Sequence, residues 1–108
     1  MSRHLEVDVS QMAVVTLRGE IDVASLEDIE AVIEPHLAVG QMVVLDLSGV
    51  TFADSTLLKV LYQARGKAND GGGALLVRNP SDRVRQLLSL GDLDDLVQAE
   101  VDRQNDLP

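Results

Sequence analysis

Val43–Leu61 reads VVLDLSGVTFADSTLLKVL. Met42 to Leu47 is nearly all apolar, as in a strand covered on both faces of a parallel sheet. Ser48 to Ala53 reads as a loop, and Asp54-Ser55-Thr56 opens a helix that runs to Asn69. Leu57, Leu58, Leu61 and Ala64 fall on one side of that helix; Lys59, Gln63 and Lys67 fall on the other. A strand that feeds a helix points to a parallel sheet, whose binding sites gather at the carboxyl ends of its strands. Ser55 stands at such an end.

Upstream, Leu5, Val7 and Val9 alternate with polar residues at strand period, and Ala13 to Leu17 is a second β-branched run. Only Gln11-Met12 separates them, which predicts an antiparallel hairpin. Gly19-Glu20-Ile21-Asp22 then turns the chain, and Ser25-Leu26-Glu27-Asp28 resembles a capping box with Asp in place of Glu. Leu26, Ile29, Val32, Ile33 and Leu37 share one helical face. Pro35 predicts a kink or an end near Glu34, and Gly40 a stop.

Downstream, Asp70 and glycines 71 to 73 break the second helix before a short strand, Ala74 to Val77. Asn79 and Pro80 predict the cap and first position of a third helix, with Val84, Leu87, Leu88 and Leu90 as its apolar face. Asp92 to Val97 reads as one more helical turn, Gln98 to Val101 as a short strand, and Asp102 to Pro108 as a polar tail. The expected fold is α/β, a single small domain over residues 1–101 followed by the tail 102–108. Its mostly parallel sheet has about four to five strands, the first two an antiparallel hairpin, with helices packed against it. The Gly19–Ser25 turn lies at the same sheet end as Ser55 if its strand is parallel, bringing Asp22 and Ser25 towards that serine.

The 108 residues suit one domain. They are 45% hydrophobic but only 2% aromatic, so the core is built from Val, Leu, Ile and Ala. A net charge of −9 argues against nucleic acid or an anionic membrane as main partner, because both require a basic face. With no cysteine there is neither a disulfide framework nor a thiolate metal site, and no apolar run is long enough to span a bilayer. MSRHLEVDVS lacks the apolar segment of a secretion signal, so the expected location is cytoplasmic.

Catalysis finds little support. His4 and His36 share no motif with a serine or carboxylate, Ser55 lacks a G-x-S-x-G elbow, and glycines 71 to 73 precede no Lys-Ser/Thr pair. Asp92, Asp94 and Asp95 lack calcium-loop spacing. No enzyme activity and no cofactor are expected. Two readings of Asp54-Ser55-Thr56 stand side by side. Any of the three side chains can cap the helix, a contribution of about 1 kcal/mol. Alternatively, Ser55 accepts a phosphate that free N–H groups and Lys59 partly accommodate, while a protein docked there is repelled.

LDLSGVTFADST at 45–56 resembles the signature of STAS domains, specifically the bacterial anti-sigma factor antagonists. Gly19-Glu20-Ile21-Asp22, NPSDRVRQLLSL at 79–90 and LDDL at 93–96 agree with it, so the resemblance spans nearly the whole chain. It implies a STAS domain over residues 1–101 that binds an anti-sigma factor and frees the sigma factor. In many members that partner is a serine kinase which phosphorylates the motif serine from ATP, and a phosphatase reverses the step. By position, Ser55 is the implied acceptor, the neighbouring hydroxyl Thr56 the alternative acceptor and Asp54 the preceding acid, with Asp22 in the adjoining turn. The partner-binding set is Asp22, Ser25, Asp54, Ser55, Thr56, Leu57 and Lys59. The family pattern is D-S-S/T-G-L-G, whereas Leu57 and Lys59 replace both glycines here. That departure supports an alternative: a phosphorylation-independent STAS adaptor bound to another protein, such as a transporter ATPase.

Overall fold

The structure, a computed structural model, describes residues 12–98. Its elements are β1 (Met12–Ile21), a 3-10 turn (Val23–Ser25), α1 (Leu26–Ala38), β2 (Met42–Ala53), α2 (Thr56–Asp70), β3 (Ala74–Arg78), α3 (Asp82–Leu90) and a 3-10 turn (Asp94–Leu96). Among the described residues the sheet has three strands in the order β1-β2-β3, and both pairings are parallel.

This corrects the expected hairpin and the count of four to five strands. Met12, read above as part of a turn, already pairs with Met42, and β1 runs on through Gly19 to Ile21 beside β2. Consecutive strands here are joined through helices, as parallel pairing requires. The first half of the expected hairpin, Leu5 to Val9, lies outside the described residues. At the other end, Val97 forms a parallel bridge with Val77, and the Gln98 N–H donates to the Val77 carbonyl at 2.7 Å; beyond Gln98 the strand expected over 98–101 lies outside the described residues. The tail 102–108 lies outside them as well.

β2 is the central strand, and Val43, Val44, Leu45 and Leu47 are buried in it. It is also longer than expected, because Ser48 to Ala53 is strand rather than loop. β2 has 12 residues against 10 in β1, and the register shifts between Thr16/Arg18 and Gly19/Glu20 place an extra β2 residue at each break. Such bulges kink a strand and re-aim its side chains. Gly19, at φ 96°, accommodates the irregularity without the strain a Cβ would add.

The helices cover the sheet with aliphatic side chains. Ile29, Ile33 and Leu37 of α1 are buried, as are Leu57, Val60, Leu61, Ala64 and Ala68 of α2 and Val84 and Leu88 of α3. Burying each large aliphatic contributes about 1.5–3 kcal/mol. Val32, expected inside, is half-exposed. Pro35 does not end α1 near Glu34; the helix continues to Ala38, and buried Ile33 and Leu37 on either side hold that turn in place. Lys67 of α2 pairs with Glu34 of α1. Two turns meet at the far end of the sheet, where a Cβ on Gly73 would stand 2.3 Å from the Gln41 carbonyl oxygen and one on Gly40 would stand 2.6 Å from that of Gly71.

The third helix starts two residues later than expected. Ser81 is the N-cap of α3 and accepts from the Val84 N–H at 3.2 Å, whereas Asn79 sits in the left-handed region at φ 57°. Asn79 donates to Asp46 at 3.4 Å, so its side chain turns back to the sheet instead of capping. The Tyr62 hydroxyl of α2 donates to the Gly91 carbonyl just beyond α3.

Candidate functional site

The site forms where β1 and β2 end together. Ile21 pairs with Ala53, and the Asp54 N–H continues that ladder by donating to the Ile21 carbonyl at 3.2 Å. The turn beginning at Asp22 and the start of α2 are thus tied by backbone. This is the carboxyl end of a parallel pair, where side chains converge beyond the sheet.

Asp22 and Ser25 hold the first turn. The Ala24 N–H donates to Asp22 Oδ1 at 3.0 Å, and Ser25 Oγ accepts from the Asp22 N–H at 3.0 Å while donating to the Asp22 carbonyl at 2.9 Å. The reciprocal cap therefore runs from Asp22 to Ser25, not from Ser25 to Asp28. Ser25 is the N-cap of α1 but makes no side-chain cap bond there, because its hydroxyl is already engaged backwards.

Asp54 takes the capping role at α2. Its Oδ1 accepts from the Thr56 N–H at 2.8 Å, and hydrogen bonding to the Thr56 backbone, then to its side chain, holds the carboxyl below the usual carboxylate pKa. Ser55 is the N-cap residue, yet it makes no side-chain cap bond and is exposed. Only its carbonyl is engaged, accepting from the N–H groups of Leu58 at 3.0 Å and Lys59 at 3.2 Å. Two carboxylates, Asp22 and Asp54, thus stand on adjoining turns beside an uncommitted hydroxyl.

The remaining expected site residues divide by direction. Thr56 is half-buried at the first helical position, and Lys59 is exposed one turn further on. Leu57 is 0% exposed. Its side chain belongs to the core and does not cover Ser55. Of the expected set, Asp22, Ser25, Asp54, Ser55 and Thr56 gather at the strand ends, Lys59 flanks them, and Leu57 supports them from beneath.

Asp46 is a further site residue, absent from the expected set although a lone acid inside the apolar run Val43–Leu47 signals a partnered carboxylate. It is buried in β2, and its Oδ1 accepts from the Ser48 N–H at 2.9 Å. Its Oδ2 accepts from Arg78 Nε at 3.2 Å. The Ser48 backbone bond above all, with Arg78 adding to it, lowers the Asp46 pKa to about 2. Through Arg78 and Asn79 this carboxylate fixes the path from β3 into α3.

Among the described residues no group of His, Asp and Glu side chains could hold a metal ion, and no helix is long and apolar enough to cross a membrane. His36 faces Gln41, its Nδ1 lying 2.8 Å from Oε1, away from the serine; His4 is outside the described residues.

No curated protein matches the chain by sequence. Among solved structures, the chain is similar to the anti-sigma factor antagonist SpoIIAA in its unphosphorylated form, with a TM-score of 0.74 and 22% identity over 95% of this chain and 96% of that one. The Bacillus cell fate determinant SpoIIAA in its phosphorylated form gives a TM-score of 0.68 at 20% identity over the same shares, 95% and 96%. The STAS domain of a SulP transporter from Vibrio cholerae gives 0.64 at 24% identity over 84% of this chain and 75% of that one. These likenesses establish a shared fold. The family model described as the Mlab STAS domain matches residues 4–98, and with a match of that length the chain belongs to the STAS domain family.

Proposed function

We propose that this chain is an anti-sigma factor antagonist whose binding is switched by phosphorylation of Ser55. It acts by docking rather than catalysis, in the cytoplasm, and its partner is an anti-sigma factor that is also a serine kinase. Binding releases the sigma factor. In the switching step Ser55 Oγ takes the γ-phosphoryl of ATP, the hydroxyl proton leaves, and ADP is the other product; a phosphatase returns the serine by hydrolysis.

One observation carries this reading: the Ser55 hydroxyl is exposed and free of capping duty, because Asp54 caps α2 instead. A phosphate there adds about two negative charges beside the carboxylates of Asp22 and Asp54. Lys59 is the cation on the same helix face one turn away. A partner seated over this end would have to desolvate the dianion, so docking is lost with little change in fold. The likeness to SpoIIAA, solved in unphosphorylated and phosphorylated forms, supports the same reading. The test is intact mass after incubation with the co-purified kinase and ATP. One phosphate on wild type and none on Ser55→Ala supports the switch; no phosphate on wild type sinks it.

A second reading is a phosphorylation-independent adaptor beside a transporter component. The likeness to a SulP transporter STAS domain and Lys59, exposed where the family pattern has a glycine, favour it. Recovery of a transporter ATPase instead of an anti-sigma factor would decide for it.

A further inference from the structure

Beside the Ser55 end, a groove of about 690 Å³ opens between the last residues of β2 and α3. Four consecutive strand residues, Val50, Thr51, Phe52 and Ala53, line it. The bulge at Thr51 interrupts the alternation of side chains there, and four residues in a row reach the groove along the strand's edge. The pairing agrees. β3 follows β2 only from Met42 to Asp46, and among the described residues no strand pairs with Leu47–Ala53 on the side away from β1. Among the described residues, that side therefore offers its backbone N–H and C=O groups to an incoming chain. Facing it, α3 contributes Leu87 and Leu90, the latter 84% exposed although the sequence placed it on an inward face. Phe52, on the opposite wall, is 49% exposed. Arg83 and Asp82 also line the groove; Arg83 has no ion pair among the described residues, unlike Arg65, Lys67 and Arg78, and so is left to pair with a partner's carboxylate.

We propose that this groove takes a short extended segment of the anti-sigma factor, added as a strand along Val50–Ala53, with apolar side chains at alternate positions against Phe52 and Leu90 and a carboxylate for Arg83. Strand addition of this kind draws affinity from main-chain hydrogen bonds and selectivity from pockets for alternate side chains. The bulges in β2 bend the edge, so it accepts a few residues rather than another whole sheet. Ala53 is the last groove residue and Asp54 the first of the switch, so one partner covers both. The inference rests on the reading of Ser55 as the docking switch.

The experiment measures binding of the co-purified anti-sigma factor to wild type, Leu90→Glu, Arg83→Glu, Val39→Ser and Ser55→Glu, together with amide hydrogen exchange of the wild-type complex. Val39 is 72% exposed and lies outside the groove, so its variant is the control. The expected result is slowed exchange at Val50–Ala53 in the complex, at least tenfold weaker binding for Leu90→Glu and Arg83→Glu, and no change for Val39→Ser. A wild-type complex without protection at Val50–Ala53, or groove variants binding within twofold of wild type while Ser55→Glu fails, overturns the groove alone. If wild type retains no anti-sigma factor, the docking reading falls and the groove proposal falls with it.

Discussion

The backbone N–H of Asp54 donates to the carbonyl of Ile21 at 3.2 Å, which ties the end of the first strand to the start of the second helix. The Asp22 turn is joined to this point from one side and the Asp54 cap from the other. A substitution at Asp54 therefore reaches further than one at Ser55. Asp54→Ala removes the acceptor for the Thr56 N–H and lowers the thermal midpoint by a few degrees; Ser55→Ala removes no capping bond and leaves it unchanged. Differential scanning calorimetry of the two variants checks this. Equal losses would show that the serine shares the cap.

Asp46 gives the fold an acid-sensitive point. Its folded pKa of about 2 lies below its ordinary value of 3.8, so the carboxylate binds protons more readily when the chain unfolds. The resulting stabilisation is present above pH 4 and is lost as the pH falls from about 4 to 2, an effect of roughly 1–2 kcal/mol. Urea midpoints for Asp46→Asn should decline less over that window than those of wild type. Parallel declines would assign the acid sensitivity to other carboxylates.

Glycines 66 and 73 should respond to alanine in opposite directions. Gly66 lies within α2 with open space where its Cβ would be, so Gly66→Ala stabilises by about 0.5–1 kcal/mol. At Gly73 the same methyl would meet the Gln41 carbonyl oxygen at 2.3 Å, where backbone must move to admit it. Gly73→Ala is expected to destabilise by about 2 kcal/mol or more. Chemical denaturation of both variants decides it, and a neutral Gly73→Ala would mean that the two turns separate easily.

The parallel α/β layering was legible because Val43–Leu47 is apolar on both faces and each such run is followed by a helical period. The sheet end that gathers Asp22 and Ser55 was legible from the same order. What the residues concealed was where strands continue. Gly19 and Ser48-Gly49 look like turns, but bulges absorb them into β1 and β2. Short-range rules see a breaker residue; only the neighbouring strand reveals that pairing resumes beyond it. The caps were misplaced for a similar reason. Ser25 and Asn79 are good cap residues, yet the first bonds back to Asp22 and the second to Asp46, a partner 33 positions away.

Leu57 tests whether the departure from the family's glycines is structural. It is 0% exposed, so Leu57→Gly leaves a cavity and adds backbone freedom to a helix, a loss of roughly 3–5 kcal/mol. Lys59 is exposed, and Lys59→Gly loses only helix propensity, about 1 kcal/mol. The two variants also separate stability from access. Because the leucine packs inward, restoring glycine at 57 opens no new approach to Ser55. If Ser55 is phosphorylated as proposed, the folded fraction of Leu57→Gly should take up phosphate at the wild-type rate, followed by intact mass over time. A large gain in rate in that variant would show that the leucine obstructs the kinase after all.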